Sequence, residues 1–114
     1  MVLLNFWFPG CACCKIELPF EKRLVKKFNK NKFKLINICF YAEIKDWHRA
    51  IKQFNLEGIN LFANMNWQSK LEKRYKISSF PHYTLIDKKG IIYSNHPKRP
   101  SEGISADISK LIND

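Results

Sequence analysis

The chain opens with an apolar run over residues 2–8, interrupted only by Asn5, that stops at Pro9-Gly10. A run of that length closed by a turn signal predicts a buried strand. The period then lengthens. Phe20, Leu24, Val25 and Phe28 recur at helical spacing, with Lys22, Arg23, Lys26, Lys27 and Lys30 on the opposite, solvated side, so a helix is predicted over 12–30. Pro19 falls inside it, removes one backbone donor and is expected to kink it. Residues 33–41 form a second apolar run, read as a parallel strand covered on both faces. Trp47, Ala50, Ile51 and Phe54 then follow at i, i+3, i+4 and i+7 and predict a short helix over Ile44–Phe54.

Residues 58–63 suggest a short strand, and Trp67, Leu71 and Tyr75 mark a further helix with Lys70, Glu72, Lys73 and Arg74 outside. Two short strands, 83–86 and 91–93, flank Asp87-Lys88-Lys89-Gly90, a hairpin turn in which Gly90 suits a positive φ. Ser101 is a candidate N-cap for a last helix carrying Ile104, Ile108, Leu111 and Ile112 on one face. The order is βα-βα-βα-ββα, an α/β layer protein that ends in an antiparallel hairpin. With 114 residues, 46% hydrophobic and 26% charged, the chain is expected to be one globular domain. No apolar run approaches the ~18 residues of a membrane helix.

Charge changes this picture little. Twenty Lys and Arg against ten Asp and Glu leave +10. The excess is mostly lysine spread over every predicted helix, with no basic tail, zinc-finger spacing or RNA-binding aromatic motif. It reads as solvated surface, and no nucleic-acid partner is expected. Residues 2–8 lack the basic start, long apolar core and small-residue cleavage site of a signal peptide.

Cysteine placement is more informative. Four cysteines are too few for a disulfide scaffold, and three crowd into Cys11, Cys13 and Cys14, between a buried strand and a helix start. A thiolate there faces unpaired backbone N–H groups and the positive end of the helix dipole, which lower its pKa. Cys11, ahead of the first turn, is expected to be the exposed nucleophile. Cys14, three residues on, lies one turn inward and can close a disulfide with it. Cys39 reads as a small hydrophobe in the sheet, and Cys13 as an incidental exposed thiol.

At these residues the chain resembles the thioredoxin-fold thiol–disulfide oxidoreductases, in particular the TlpA/ResA-like branch. Val2-Leu3-Leu4-Asn5-Phe6-Trp7 is similar to the strand leading into that branch's active site. Cys14-Lys15-Ile16-Glu17-Leu18-Pro19 is similar to its C-[RK]-x-E-x-P helix start, and Ser79-Phe80-Pro81 before Tyr83-Thr84-Leu85-Ile86-Asp87 looks like its cis-proline loop and following strand. The resemblance covers nearly the whole chain. It implies a thioredoxin-like fold, a central mixed sheet flanked by helices, with an extra helix–strand insertion at about 44–63. The family's N-terminal hairpin is missing before Val2, so a fragment of a longer chain is expected.

The resemblance also implies roles. Cys11 would attack, Cys14 would resolve, Pro81 would be the cis-proline that shapes the substrate groove, and Glu17 would be the acidic residue that assists proton movement near the pair. Gly10, Ala12, Cys13, Phe80 and His82 would line the groove. Asn5 stands where thioredoxin has a buried aspartate. Gly10 replaces the usual bulky residue before the first cysteine, Cys13 intrudes between the pair, and His82 follows the proline where threonine is common. The implied activity needs no cofactor and no metal. Its partners would be protein thiols or disulfides and a thiol electron donor or acceptor, acting on a monomer outside the bacterial cytoplasm and at a membrane only by tethering beyond this chain.

Other readings of the same residues stand beside this one. Cys11, Cys13, Cys14 and His82 are soft ligands for a copper-handling module on the same fold, although such modules usually space their cysteines C-x-x-x-C. A thioredoxin-like binding domain of a larger envelope protein that has lost activity is a third. Glu17 has an ordinary reading as a solvated helix residue, and His82 as a partly exposed histidine without a role. His48 and His96 read as surface residues, and Trp7, Trp47 and Trp67 as core or groove aromatics.

Overall fold

A computed structural model describes residues 1–113. The described residues form five strands and four helices: β1 Val2–Trp7, α1 Ala12–Lys27, β2 Lys34–Cys39, α2 Ile44–Phe54, β3 Ile59–Phe62, α3 Met65–Tyr75, β4 His82–Ile86, β5 Ile92–Ser94 and α4 Ile104–Asn113, with a 3-10 turn at Pro100–Glu102 before α4. The sheet order is β3-β2-β1-β4-β5. β1 runs parallel to β2 and antiparallel to β4, β3 is parallel to β2, and β5 is antiparallel to β4. The sheet is therefore mixed and the fold thioredoxin-like, as the resemblance implies.

Central position explains the apolar run of β1. Leu3 packs with Leu24 of α1, Leu35, Tyr83, Leu85, and Ile104 and Ile108 of α4. Leu4 and Phe6 face the other way, onto Ile38, Phe40 and Ala63, with Leu71 and Tyr75 of α3 alongside. Each fully buried Leu or Phe of this kind contributes about 2 kcal/mol through water excluded from its surface. The run that predicted a buried strand is thus apolar because helices cover both faces. Asn5 breaks it, and in the parallel register it stands beside Asn37 of β2.

The helices end where local chemistry stops them. α1 runs continuously through Pro19 to Lys27 and not to residue 30, because the chain turns extended at Phe28. Asn64 caps α3 by accepting from the Trp67 N–H at 3.0 Å, and Asn55 and Lys76 close α2 and α3 in the left-handed region. In the hairpin, Asp87 Oδ1 accepts from Lys89 N–H and Ile91 N–H, and Gly90 takes φ +84°. Gly58, also at φ +84°, is pressed against β2: a Cβ there would lie 2.5 Å from the Leu35 carbonyl oxygen. That close approach seats the connection from α2 into β3.

Candidate active site

The β1 strand ends at Trp7 and the chain turns through Pro9-Gly10, where Cys11 N–H donates to the Phe8 carbonyl at 3.1 Å. This turn delivers Cys11 to the N-cap of α1. Its Sγ accepts from the Cys14 N–H at 3.1 Å, so the sulfur takes the place of the usual capping oxygen. Cys11 and Cys14 are joined as a disulfide with their Cα atoms 5.2 Å apart.

Exposure does not divide the pair as expected. Cys11 and Cys14 are each only 5% exposed, packed with Trp7, Cys39 and Ala50 and with Phe8, Trp47 and Phe80 around them. Cys11 is buried because the Pro9-Gly10 turn folds it back over the end of β1 and the disulfide holds it there. The exposed residues are Gly10, Ala12 and Cys13, and Cys13 is a free thiol. Cys39 is fully buried beside the pair, and burial pushes its thiol up to about 12, which keeps it protonated.

Phe80 belongs to an aromatic group bordering the disulfide. Its ring meets those of Phe8, Phe40 and Tyr41 edge-on at 5.4–5.6 Å. The Phe80–Pro81 peptide bond is cis, and Pro81 is buried. His82 departs from its partly exposed reading. It is buried against Phe6, with Nε2 3.1 Å from Asn95 Oδ1 and its ring near His96. Burial lowers its pKa and favours the neutral imidazole. His48 and His96 are exposed; Trp7 is buried, whereas Trp67 is largely exposed. A cleft of ≈ 330 Å³ lies between the Pro9-Gly10 turn and α2, bordered by Gly10, Lys15, Tyr41, Asp46 and Arg49.

The two acidic residues of α1 hold the main surprise. Glu17 is not solvated: it is 2% exposed, and both oxygens are taken by Ser101, from N–H at 2.9 Å and from Oγ–H at 2.6 Å. Ser101 lies in the 3-10 turn and works as this anchor rather than as an N-cap of α4. The carboxylate that shares a cavity with Cys14 is Glu21. Glu21 Oε2 accepts from Asn5 Nδ2 at 3.2 Å and from the Tyr83 hydroxyl. Burial, with a smaller push from Glu17, raises its carboxyl from 4.5 to about 7 against the opposing Tyr83 hydrogen bond. Sequence reading missed Glu21. The available signal was its position seven residues after Cys14, on the helix face that also carries buried Leu24.

Cys11, Cys13, Cys14 and His82 do not assemble as ligands. Among the described residues no group of three or more His, Cys, Asp or Glu is placed to hold a metal ion.

A strand ending in a disulfide-forming C-x-x-C at a helix N-terminus, within this sheet order, defines a thioredoxin-type site. The chain belongs to the thioredoxin-like family, whose pattern it matches over residues 1–92. It is similar to the thioredoxin-like protein YneN of Bacillus subtilis, 26% identical over 95 residues, which are 83% of this chain and 55% of YneN. It is also similar to the thiol-disulfide oxidoreductase ResA of Bacillus thuringiensis, 28% identical over 90 residues, 78% of this chain and 50% of ResA. The chain thus spans about half the length of the curated relatives it matches. Among solved structures, a thiol:disulfide interchange protein from Bacteroides sp. superposes with TM-score 0.87 at 25% identity, over 99% of this chain and 73% of its own. The thioredoxin domain of a thiol-disulfide oxidoreductase from Bacteroides vulgatus gives 0.84 at 25%, over 96% and 78%.

Proposed function

We propose that the chain is a thiol–disulfide oxidoreductase in which the Cys11–Cys14 couple exchanges with protein thiols and disulfides. The observation that carries this reading is the disulfide itself, closed across the first turn of α1 with Cys11 at the N-cap. When the pair is reduced, the Cys14 N–H that reaches Cys11 Sγ and the helix dipole both favour a Cys11 thiolate. Cys11 is therefore the attacking sulfur and Cys14 the resolving one. Gly10, Ala12 and Cys13 form the exposed rim a partner meets. Phe80 and Pro81 form its far wall, where a partner segment can pair with extended backbone.

A thiol protein supplies or accepts the electrons. The TlpA/ResA-like resemblance supports action outside the cytoplasm, and no helix among the described residues is long and apolar enough to cross a membrane. The single-domain, monomeric reading is part of this proposal.

The test is trapping. Reduced Cys14→Ser protein mixed with glutathione disulfide is expected to stop as a stable glutathione adduct on Cys11, while the unmodified chain proceeds to the Cys11–Cys14 disulfide and releases glutathione. Cys11→Ser is expected to form no adduct at the site. A reduced chain that releases no glutathione, or an adduct on Cys13 alone, would defeat the reading.

A further inference from the structure

We infer that Glu21 is the buried base that takes the Cys14 proton when Cys14 closes the disulfide. The inference rests on the exchange reading above and names the group that completes it. Its basis is placement. Cys14 and Glu21 lie seven residues apart on α1, on the same face, and border one cavity of ≈ 10 Å³. Trp7, Phe8, Leu18, Phe54 and Leu56 give it apolar walls. The space is that of a single water, enough to relay one proton.

Two polar atoms of residues bordering this cavity are buried without a partner: Asn5 Oδ1, an acceptor, and Trp7 Nε1, a donor. Buried polar atoms are rarely left so. Together with Glu21 they supply the polar contacts a relaying water requires. Asn5 Nδ2 meanwhile donates to both Glu21 Oε2 and Asn37 Oδ1, which fixes the carboxylate between strand and helix.

Tyr83 of β4 donates its hydroxyl to Glu21. Its own ionisation is pushed far up, chiefly by burial, and Arg99 opposes this only in part. Asn5 of β1 and Asn37 of β2 are uncharged. On α1, Lys15 borders the cavity with its ammonium 5.5 Å from the centre of the Phe54 ring, and Glu17 is held by Ser101. No cation pairs with Glu21 among the described residues. The buried carboxyl titrates at about 7, where its ionised form can accept a proton under neutral conditions. Neither Glu17, both of whose oxygens are held by Ser101, nor His82 borders this cavity, whereas the two donors to Glu21 share one of its oxygens.

Cys11 is joined to a substrate sulfur in a mixed disulfide, and Cys14 is a thiol. The Cys14 proton passes through the water to the Glu21 carboxylate, which becomes neutral. The Cys14 thiolate attacks Cys11 Sγ, the Cys11–Cys14 bond forms, and the Cys11–substrate bond breaks. The electron pair leaves on the substrate sulfur, which takes a proton from solvent. The two protein sulfurs are oxidised by two electrons and the substrate disulfide is reduced by two. Glu21 then returns its proton to solvent.

The experiment is rapid-quench kinetics of glutathione release from the Cys11–glutathione adduct over pH 5–9. The unmodified chain is expected to show closure rising through a step near pH 7. Glu21→Gln is expected to lose that step and to close about 10²-fold more slowly at pH 7, the low end for general acid–base catalysis. Glu21→Asp, which keeps a carboxylate, is expected to recover part of the rate. An unchanged profile in Glu21→Gln overturns the inference, as does loss of the step in Glu17→Gln with its retention in Glu21→Gln. Should Glu21→Gln fail to fold, the side-chain carboxyl carbon of Glu21 is followed by NMR in the unmodified chain. A midpoint near 7 that moves between oxidised and reduced protein supports the coupling; an identical midpoint in both forms overturns it. No glutathione release from the unmodified chain at any pH would instead defeat the exchange reading on which this one stands.

Discussion

One turn of α1 separates Glu17 from Glu21, and both carboxylates are almost fully buried, yet they sit in opposite chemistry. Glu17 reaches the 3-10 turn, where a backbone N–H and a hydroxyl of Ser101 meet both oxygens. Glu21, one turn further along the same face, reaches the sheet, where Asn5 and Tyr83 both donate to one oxygen and the rest of the cavity is largely apolar. The first arrangement ties the C-terminal segment to the helix that carries the cysteines. The second leaves a carboxyl whose charged form is costly, next to the sulfur that must lose a proton. Burial alone therefore does not say what an acidic residue does; the number and placement of its donors decide it.

Stability against pH tests this comparison most severely. The folded Glu21 carboxyl titrates at about 7, above its ordinary 4.5. Between those values the folded chain binds more protons than the unfolded one, so stability falls as pH rises from 4.5 to 7 and the loss is complete above 7. The loss contributed by Glu21 is expected to approach about 3 kcal/mol. His82 acts in the opposite sense in the acid range, because its lowered pKa makes the folded chain bind fewer protons there. The difference between urea unfolding curves of the unmodified chain and Glu21→Gln, from pH 4 to pH 8, isolates the Glu21 part. Parallel stability profiles for the two proteins would mean that Glu21 is not held in an apolar site, and the contrast with Glu17 would collapse.

A smaller effect is expected at Tyr83. Its hydroxyl donates to Glu21 and opposes the upward push on that carboxyl. Tyr83→Phe keeps the ring packed against Leu3 and Leu85 and removes only the donor. The charged form of Glu21 loses a partner, so its midpoint is expected to move further up. Stability at pH 8 is expected to drop by about 2 kcal/mol, within the range for a hydrogen bond to a charged group. The drop should shrink at pH 5, where Glu21 is neutral. An equal loss at both pH values would show that the hydroxyl serves packing and not the carboxylate.

Much of this architecture is legible in the sequence because covering both faces of a strand leaves an apolar run, and a helix with one buried side leaves a 3.6-residue period. β1, β2 and α2 follow those patterns. The Cys11–Cys14 spacing after a strand is legible for a similar reason, since a helix turn alone brings residues three apart together. The boundaries were less so: α1 ends at Lys27 because the backbone extends at Phe28, although the lysines beyond it keep a helical look. The burial of Cys11 is not legible because the sequence does not reveal how tightly the Pro9-Gly10 turn folds. Glu21 escaped notice among Lys22, Arg23, Lys26 and Lys27, where a single acid reads as part of a solvated face. Its burial depends on Asn5 and Tyr83, which are 16 and 62 residues away along the chain and meet it only once the sheet is formed. Glu17 likewise finds Ser101 across 84 residues.

Ser101→Ala probes the other side of the comparison with the smallest expected effect. The substitution removes one of the two Ser101 donors to Glu17 and keeps the backbone N–H. Ser101 is itself exposed and only its contact with Glu17 is partly buried, so water can replace the missing hydroxyl in part. The expected cost is therefore about 1 kcal/mol, the ordinary net value of one hydrogen bond, measured as a shift in the urea midpoint with unchanged slope. The 3-10 turn should loosen, and amide exchange at Ser101 and Glu102 should quicken, because this contact ties the turn to α1. The pH dependence of disulfide closure should keep its step near 7, since Glu21 retains Asn5 and Tyr83. If the step disappears while Glu21 remains in place, the two carboxylates of α1 are not separate in function: the donors on Glu17 would then govern the sulfur chemistry as well as the anchoring of the C-terminal segment.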